Sequence, residues 1–220
     1  MRPFTPFSPL SRLAQMVLLA VIVQLGAFGA QAAPVKILAL GDSLTAGYGL
    51  PAGEGFVPQL EKALRAQGLD ARVLDGGVSG DTTAGGLARL DWALAEDPQV
   101  VIVELGANDA LRGLDPGQAK SNLDAILAKL TAQHRAVLLA GMLAPRNLGA
   151  DYVTAFDAIY PDLAKHYGVG LYPFFLEGVA ANPALNQADG LHPTAEGVAI
   201  IVRGILPSLR QVIAKAGTPS

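Results

Sequence analysis

The run Val100-Val101-Ile102-Val103-Glu104-Leu105 is β-branched and almost continuously apolar, the composition of a strand buried on both faces of a parallel sheet. Four more short apolar runs share the chain with it: Val35 to Leu40, Ala71 to Leu74, Ala136 to Ala140 and Val169 to Tyr172. Between them the apolar spacing is helical. Phe56, Leu60, Ala63 and Leu64 mark a helix ending at Gln67-Gly68, and Leu87, Leu90 and Leu94 a second. Asp115-Pro116 is a cap followed by a first-turn proline, opening a helix with Ala119, Leu123, Ile126, Leu127 and Leu130 on one face. Tyr152, Phe156, Ile159, Tyr160 and Leu163 form another stripe, closed by Tyr167-Gly168, and Val198, Ile201, Val202, Ile205 and Leu209 the last. Strand and helix alternate five times. This predicts an α/β chain with a parallel sheet covered on both faces, a three-layer α/β/α sandwich, its short fifth strand at an edge.

Arg2 and Arg12 precede the apolar run Met16 to Val23, and small residues end the segment at Ala30-Gln31-Ala32-Ala33, the pattern of a secretory signal peptide. That run is shorter than the roughly 18 residues of a membrane anchor. An uncleaved anchor is the alternative, because Leu25 to Ala30 extends the span past Gln24. We expect residues 1–32 to be the signal peptide and 33–220 a single domain, exported to the periplasm or beyond. The exported form is expected to be a monomer without a stable membrane span. The formal charge is −3 and no Lys/Arg cluster exists to follow a phosphate backbone, which argues against a nucleic-acid partner. Without cysteine there is no disulfide, no thiolate nucleophile and no Cys-ligated metal.

In a parallel sheet the loops that come after the strands lie along one edge, where open α/β folds place their ligands. Gly41-Asp42-Ser43 follows the first strand, Gly77 to Gly80 the second and Gly106-Ala107-Asn108 the third, while Asp189 and His192 come after the fifth. Each has an ordinary reading as turn chemistry, since Asp, Ser, Asn and Gly make most turns. Together they supply what acyl transfer needs. Serine is a poor nucleophile until a base takes its proton and a third group orients that base. Of three histidines, His134 lies near a helix end among polar residues and His166 in a last helical turn. Only His192 sits in a post-strand loop, three residues after Asp189. Gly80 can offer an unobstructed backbone N–H, Asn108 an amide and Ser43 its own N–H to a developing oxyanion. Whether Asp189 and His192 touch is not readable from spacing; an Asp cap beside a surface histidine is the alternative.

These residues resemble the motif blocks of the GDSL or SGNH hydrolases, and within them the periplasmic multifunctional thioesterase/arylesterase group. Gly41-Asp42-Ser43-Leu44 is similar to the nucleophile block, Gly77-Val78-Ser79-Gly80 to the oxyanion glycine block, Gly106-Ala107-Asn108-Asp109 to the oxyanion asparagine block and Asp189-Gly190-Leu191-His192-Pro193 to the acid/base block. The resemblance implies a flavodoxin-like five-stranded sheet and hydrolysis of acyl esters and thioesters without metal or other cofactor. It also implies a catalytic triad of Ser43, His192 and Asp189, with Ser43, Gly80 and Asn108 as the oxyanion hole. Leu111, Leu114, Leu143, Pro145 and Leu148, after the third and fourth strands, are candidates for an acyl groove or for plain core packing. The alternatives are a carbohydrate-ester deacetylase, for which Trp92 on a helix is a poor sugar platform, and an exported acyl carrier without turnover. A flavodoxin-like nucleotide binder lacks any phosphate motif, and neither a P-loop nor a Gly-x-Ser-x-Gly elbow is present.

Overall fold

The computed structural model describes residues 33–216; the signal-peptide reading of 1–32 lies outside them. β1 (Val35–Gly41) runs into a one-turn helix, α1 (Ser43–Ala46). α2 (Phe56–Ala66) leads to β2 (Ala71–Gly77), and α3 (Thr83–Ala88) and α4 (Leu90–Ala93) to β3 (Val100–Glu104). α5 (Ala107–Leu111) and α6 (Pro116–Ala132) precede β4 (Ala136–Ala140). A 3-10 turn (Arg146–Leu148), α7 (Ala150–Asp157) and α8 (Ile159–Tyr167) precede β5 (Gly170–Tyr172), and α9 (Ala195–Ala216) comes last.

All five strands are parallel in the order β2-β1-β3-β4-β5. α2 and α9 pack together on one side of the sheet, and α3, α6, α7 and α8 form the other layer. The β-branched composition of β3 is explained by its place: every one of its residues is buried between the two layers, each full aliphatic side chain contributing roughly 1.5–3 kcal/mol. Asp115 caps α6 by accepting from the Gly117 N–H at 3.0 Å, with Pro116 at the first position.

Three departures from the sequence pattern go beyond a one-residue shift at a strand end. β2 continues through Asp75, Gly76 and Gly77, because ladder bonds to Ala39–Gly41 use backbone alone and need no apolar side chain. The Leu87 to Leu94 stripe divides at Arg89 (φ −101°, ψ 5°) into α3 and α4. The Tyr152 to Leu163 stripe divides into α7 and α8, where Pro161 has no N–H to return to the preceding turn.

The strand register places the loops. Gly77 pairs with Gly41, Gly41 with Glu104, Glu104 with Ala140 and Ala140 with Tyr172, so the strands all end in one row. β1 is flanked by β2 and β3, so the loops after β1 and β3 face each other across the switch point where this strand order places its ligands.

Candidate active site

Asp42 caps α1: its Oδ1 accepts from the Leu44 N–H at 2.9 Å, and left-handed Gly47 ends the helix one turn later. Ser43 is therefore the first helical residue rather than part of an open loop. Its backbone N–H donates to no group among the described residues, as expected of the first turn of a helix.

The turn after Asn186 brings His192 to this serine. Its Nε2 lies 2.9 Å from Ser43 Oγ and its Nδ1 lies 2.6 Å from Asp189 Oδ2. Asp189 Oδ1 accepts the backbone N–H groups of Leu191 (2.9 Å) and His192 (3.0 Å). The His192 backbone N–H, then its ring, then the Leu191 N–H hold the Asp189 carboxyl down at about 2. An ionised carboxylate only accepts, so Nδ1 carries the imidazole proton and Nε2 is the acceptor for the serine hydroxyl. His134 and His166 stay outside: the first has φ 56° just past α6, the second packs its ring on Tyr167 at the end of α8.

Gly80 follows β2 with φ 83°, and its N–H also donates to nothing among the described residues. Three side chains, Arg112, Arg89 and Asp109, fix its loop. Arg112 Nη2 donates to the Gly80 carbonyl at 2.8 Å. Arg89 ties the neighbouring Asp81 (2.6 Å) to the Gly41 carbonyl (2.8 Å) at the end of β1. Asp109 accepts both the N–H and the hydroxyl of Thr83, at 2.9 and 2.6 Å. Asn108, in the first turn of α5, donates from Nδ2 to Asp42 Oδ2 at 2.9 Å.

Beneath the serine lies a second acid. Glu104, fully buried, accepts the Thr45 hydroxyl at 2.7 Å and the Asp42 N–H at 3.3 Å on Oε2, while Oε1 has no protein partner. A Cβ on Gly41 would stand 2.0 Å from Thr45 Oγ1 and 2.5 Å from Glu104 Oε2, so only glycine lets the strand close over this carboxyl. Burial raises the Asp42 carboxyl to about 6, and burial with the Asp42 charge raises Glu104 well above the usual range. Both Asp42 oxygens accept from N–H groups, which opposes the rise of its carboxyl, whereas Glu104 is buried more deeply still.

Ser43, Asn108 and His192 line a cleft of about 550 Å³ whose walls are largely apolar. Leu111, Leu143 and Pro145 are in that wall, joined by Met142, Phe174, Leu176 and Leu191. Leu114 and Leu148 are not. Leu114 lies past the left-handed Gly113, its carbonyl held by the Tyr152 hydroxyl at 2.8 Å, and Leu148 ends the 3-10 turn. Gly80 is not among the lining residues, and neither is Trp92, 75% exposed on α4. Sequence reasoning passed over Glu104, although an acid closing an apolar central strand is itself a signal, since buried charges need partners. Arg89, Arg112 and Asp109 carried no such local sign. Among the described residues no cluster of His, Asp or Glu could hold a metal ion.

The sequence profile of the GDSL-like lipase/acylhydrolase family matches residues 39–200. The chain is 42% identical over 184 residues to Esterase TesA of Pseudomonas aeruginosa, covering 83% of this chain and 92% of that protein. It is 39% identical over 183 residues to Thioesterase 1/protease 1/lysophospholipase L1 of Escherichia coli, covering 83% and 86% of the two. The crystal structure of AlinE4, an SGNH-hydrolase family esterase, superposes with a TM-score of 0.71 at 49% identity, over 86% of this chain and 100% of that one.

Proposed function

The chain belongs to the GDSL-like lipase/acylhydrolase family and is an SGNH-type ester hydrolase, and on that premise we propose that Ser43, His192 and Asp189 carry its chemistry on acyl esters and acyl thioesters. Ser43 Oγ attacks the acyl carbonyl as its proton passes to His192 Nε2. The tetrahedral oxyanion is met by the N–H groups of Ser43 and Gly80 and by the Asn108 amide. Collapse breaks the bond to the leaving alcohol or thiol, which takes the proton from His192. Water, deprotonated by the same nitrogen, then attacks the acyl-serine and releases the acid. Asp189 keeps the imidazole in the tautomer this requires and stabilises its charged form. Leu111, Leu143 and Pro145 receive the acyl chain in the apolar cleft.

The observation that supports this reading is the unbroken relay Ser43 Oγ, His192 Nε2, His192 Nδ1, Asp189 Oδ2, with spacings of 2.9 and 2.6 Å. A fluorophosphonate probe tests it. One adduct on Ser43 by intact mass and peptide mapping, absent from Ser43→Ala, is the expected result; no adduct on a folded protein overturns it. We further propose that 1–32 is removed on export and that the remaining chain acts as a monomer outside the cytoplasm. The N-terminal sequence and solution mass of the exported protein check both.

A further inference from the structure

The Asp189–His192 turn and the Ser43 loop are far apart in sequence, and the relay between them needs a fixed distance. Gln187 supplies a mechanical link. Its backbone N–H donates to the His192 carbonyl at 2.7 Å, closing the turn at its base beside the Asn186–Pro193 bridge. Its side-chain Nε2 donates to the Pro193 carbonyl at 3.0 Å and, across the gap, to the Tyr48 carbonyl at 2.8 Å. Tyr48 is in turn bound to the nucleophile, since its N–H donates to the Ser43 carbonyl at 3.0 Å. Its ring rests against the His192 imidazole, centroids 4.6 Å apart at 40°. Between residues 43–49 and 186–193, the hydrogen bonds among the described residues are the Ser43–His192 contact itself and this one from Gln187.

The neighbouring glycine is shaped by the same contact. Gly49 has φ 74°, and a Cβ there would stand 2.3 Å from Gln187 Oε1. Glycine at this position leaves the Gln187 carboxamide its place beside the backbone.

We propose that Gln187 is a positioning residue: by tying the nucleophile loop to the turn that carries Asp189 and His192, its carboxamide holds Ser43 Oγ and His192 Nε2 in register, with the Tyr48 ring as the stop behind the imidazole. This rests on the assignment of Ser43 and His192 as the reacting pair. Catalytic geometry is sensitive to displacement, a 1 Å error costing on the order of 100-fold.

The test replaces Gln187 by Met, which keeps length and removes the donors, and from the other side makes Gly49→Ala, whose methyl displaces the carboxamide. Each variant is assayed with a short activated ester, its active fraction titrated by fluorophosphonate. The expected result is a 10- to 100-fold fall in kcat per labelled site with KM little changed, a parallel fall in the rate of Ser43 labelling, and no further loss when Gln187→Met is added to His192→Ala. Unchanged kcat in both variants overturns the proposal. So does a loss explained wholly by a smaller active fraction, or one that adds in full to His192→Ala. Absence of label in the wild type removes the relay itself, a failure of the premise that is distinguishable because it precedes any variant.

Discussion

Asn108 and Asp42, 66 positions apart, are joined by one hydrogen bond of 2.9 Å from Nδ2 to Oδ2. The bond uses one of the two amide hydrogens of Asn108 and leaves the other for an oxyanion, while Asp42 uses its second oxygen to cap the serine helix. One buried carboxylate thereby orients both Ser43 and Asn108.

Asn108→Ala is therefore expected to lower kcat by ~10²-fold or more, with Ser43 still present to be labelled. Asp42→Asn should lower kcat as well, because a carboxamide in the same place can turn a donor toward the Asn108 amide. Steady-state kinetics with a short ester decide this, and turnover within twofold of wild type for Asn108→Ala removes it from the oxyanion hole.

Glu104 makes a stability prediction with a definite sign. Its native pKa lies well above the ordinary value of 4.5, and that of Asp42 rises from 3.8 to about 6. The native state holds these protons after the unfolded state has released them. Their contribution is complete below the unfolded values and is lost as pH climbs toward the native ones. Glu104→Gln keeps an acceptor for Thr45 and Asp42 and abolishes one of these titrations. Relative to wild type it should gain stability as pH rises from about 4.5, at a slope of up to ~1.4 kcal/mol per pH unit, with kcat within a few-fold. Urea unfolding at pH 4.5, 6 and 7.5 measures the gap, and a pH-independent gap contradicts a neutral Glu104.

Asp189 works in the opposite direction. Its native pKa of about 2 is below the ordinary 3.8, so its contribution is present above about 3.8 and is lost as pH falls toward about 2. The thermal-stability advantage of wild type over Asp189→Asn should close across that interval and be constant above it. Solvent screening of a carboxylate that is 39% exposed keeps the advantage small. Activity is the larger readout: the same variant should lose about 10³-fold or more in kcat at neutral pH, because the imidazole tautomer is no longer imposed.

The cleft wall predicts a chain-length effect. Leu111→Ala and Leu143→Ala should each lower kcat/KM for long acyl esters by about tenfold, at ~0.8 kcal/mol per lost methylene contact, and leave acetyl esters nearly unchanged. Leu114→Ala and Leu148→Ala, outside the wall, should leave the profile where it was. A panel of p-nitrophenyl esters from acetyl to decanoyl separates the two pairs.

How much of this was legible beforehand depended on how local each signal is. The five strands announced themselves because burial on both faces of a parallel sheet demands unbroken apolar runs, as at Val100–Glu104. The candidate site residues could be read together because Ser43, Gly80, Asn108 and His192 all follow strands whose ends share one sheet edge, although Ser43 and Asn108 lie in the first turn of short helices rather than in loops. The cleft wall was read only in part. Leu111 and Leu114 are three residues apart and equally apolar, yet left-handed Gly113 between them sends one into the cleft and the other away.

By itself, then, the sequence determined the alternation of elements, and with it which loops meet and which residue types they bring. Periodicity and turn chemistry act over a few residues and survive any detail of packing. Only the tertiary structure decided the register that sets Gly77, Gly41 and Glu104 side by side, the burial of Glu104 against Asp42 that raises its carboxyl, and the Gln187 link across 139 positions. Those depend on distances of a few ångströms between segments that no local pattern relates. The energies involved, desolvation of a carboxyl and the direction of a single N–H, exist only once the chain has closed around them.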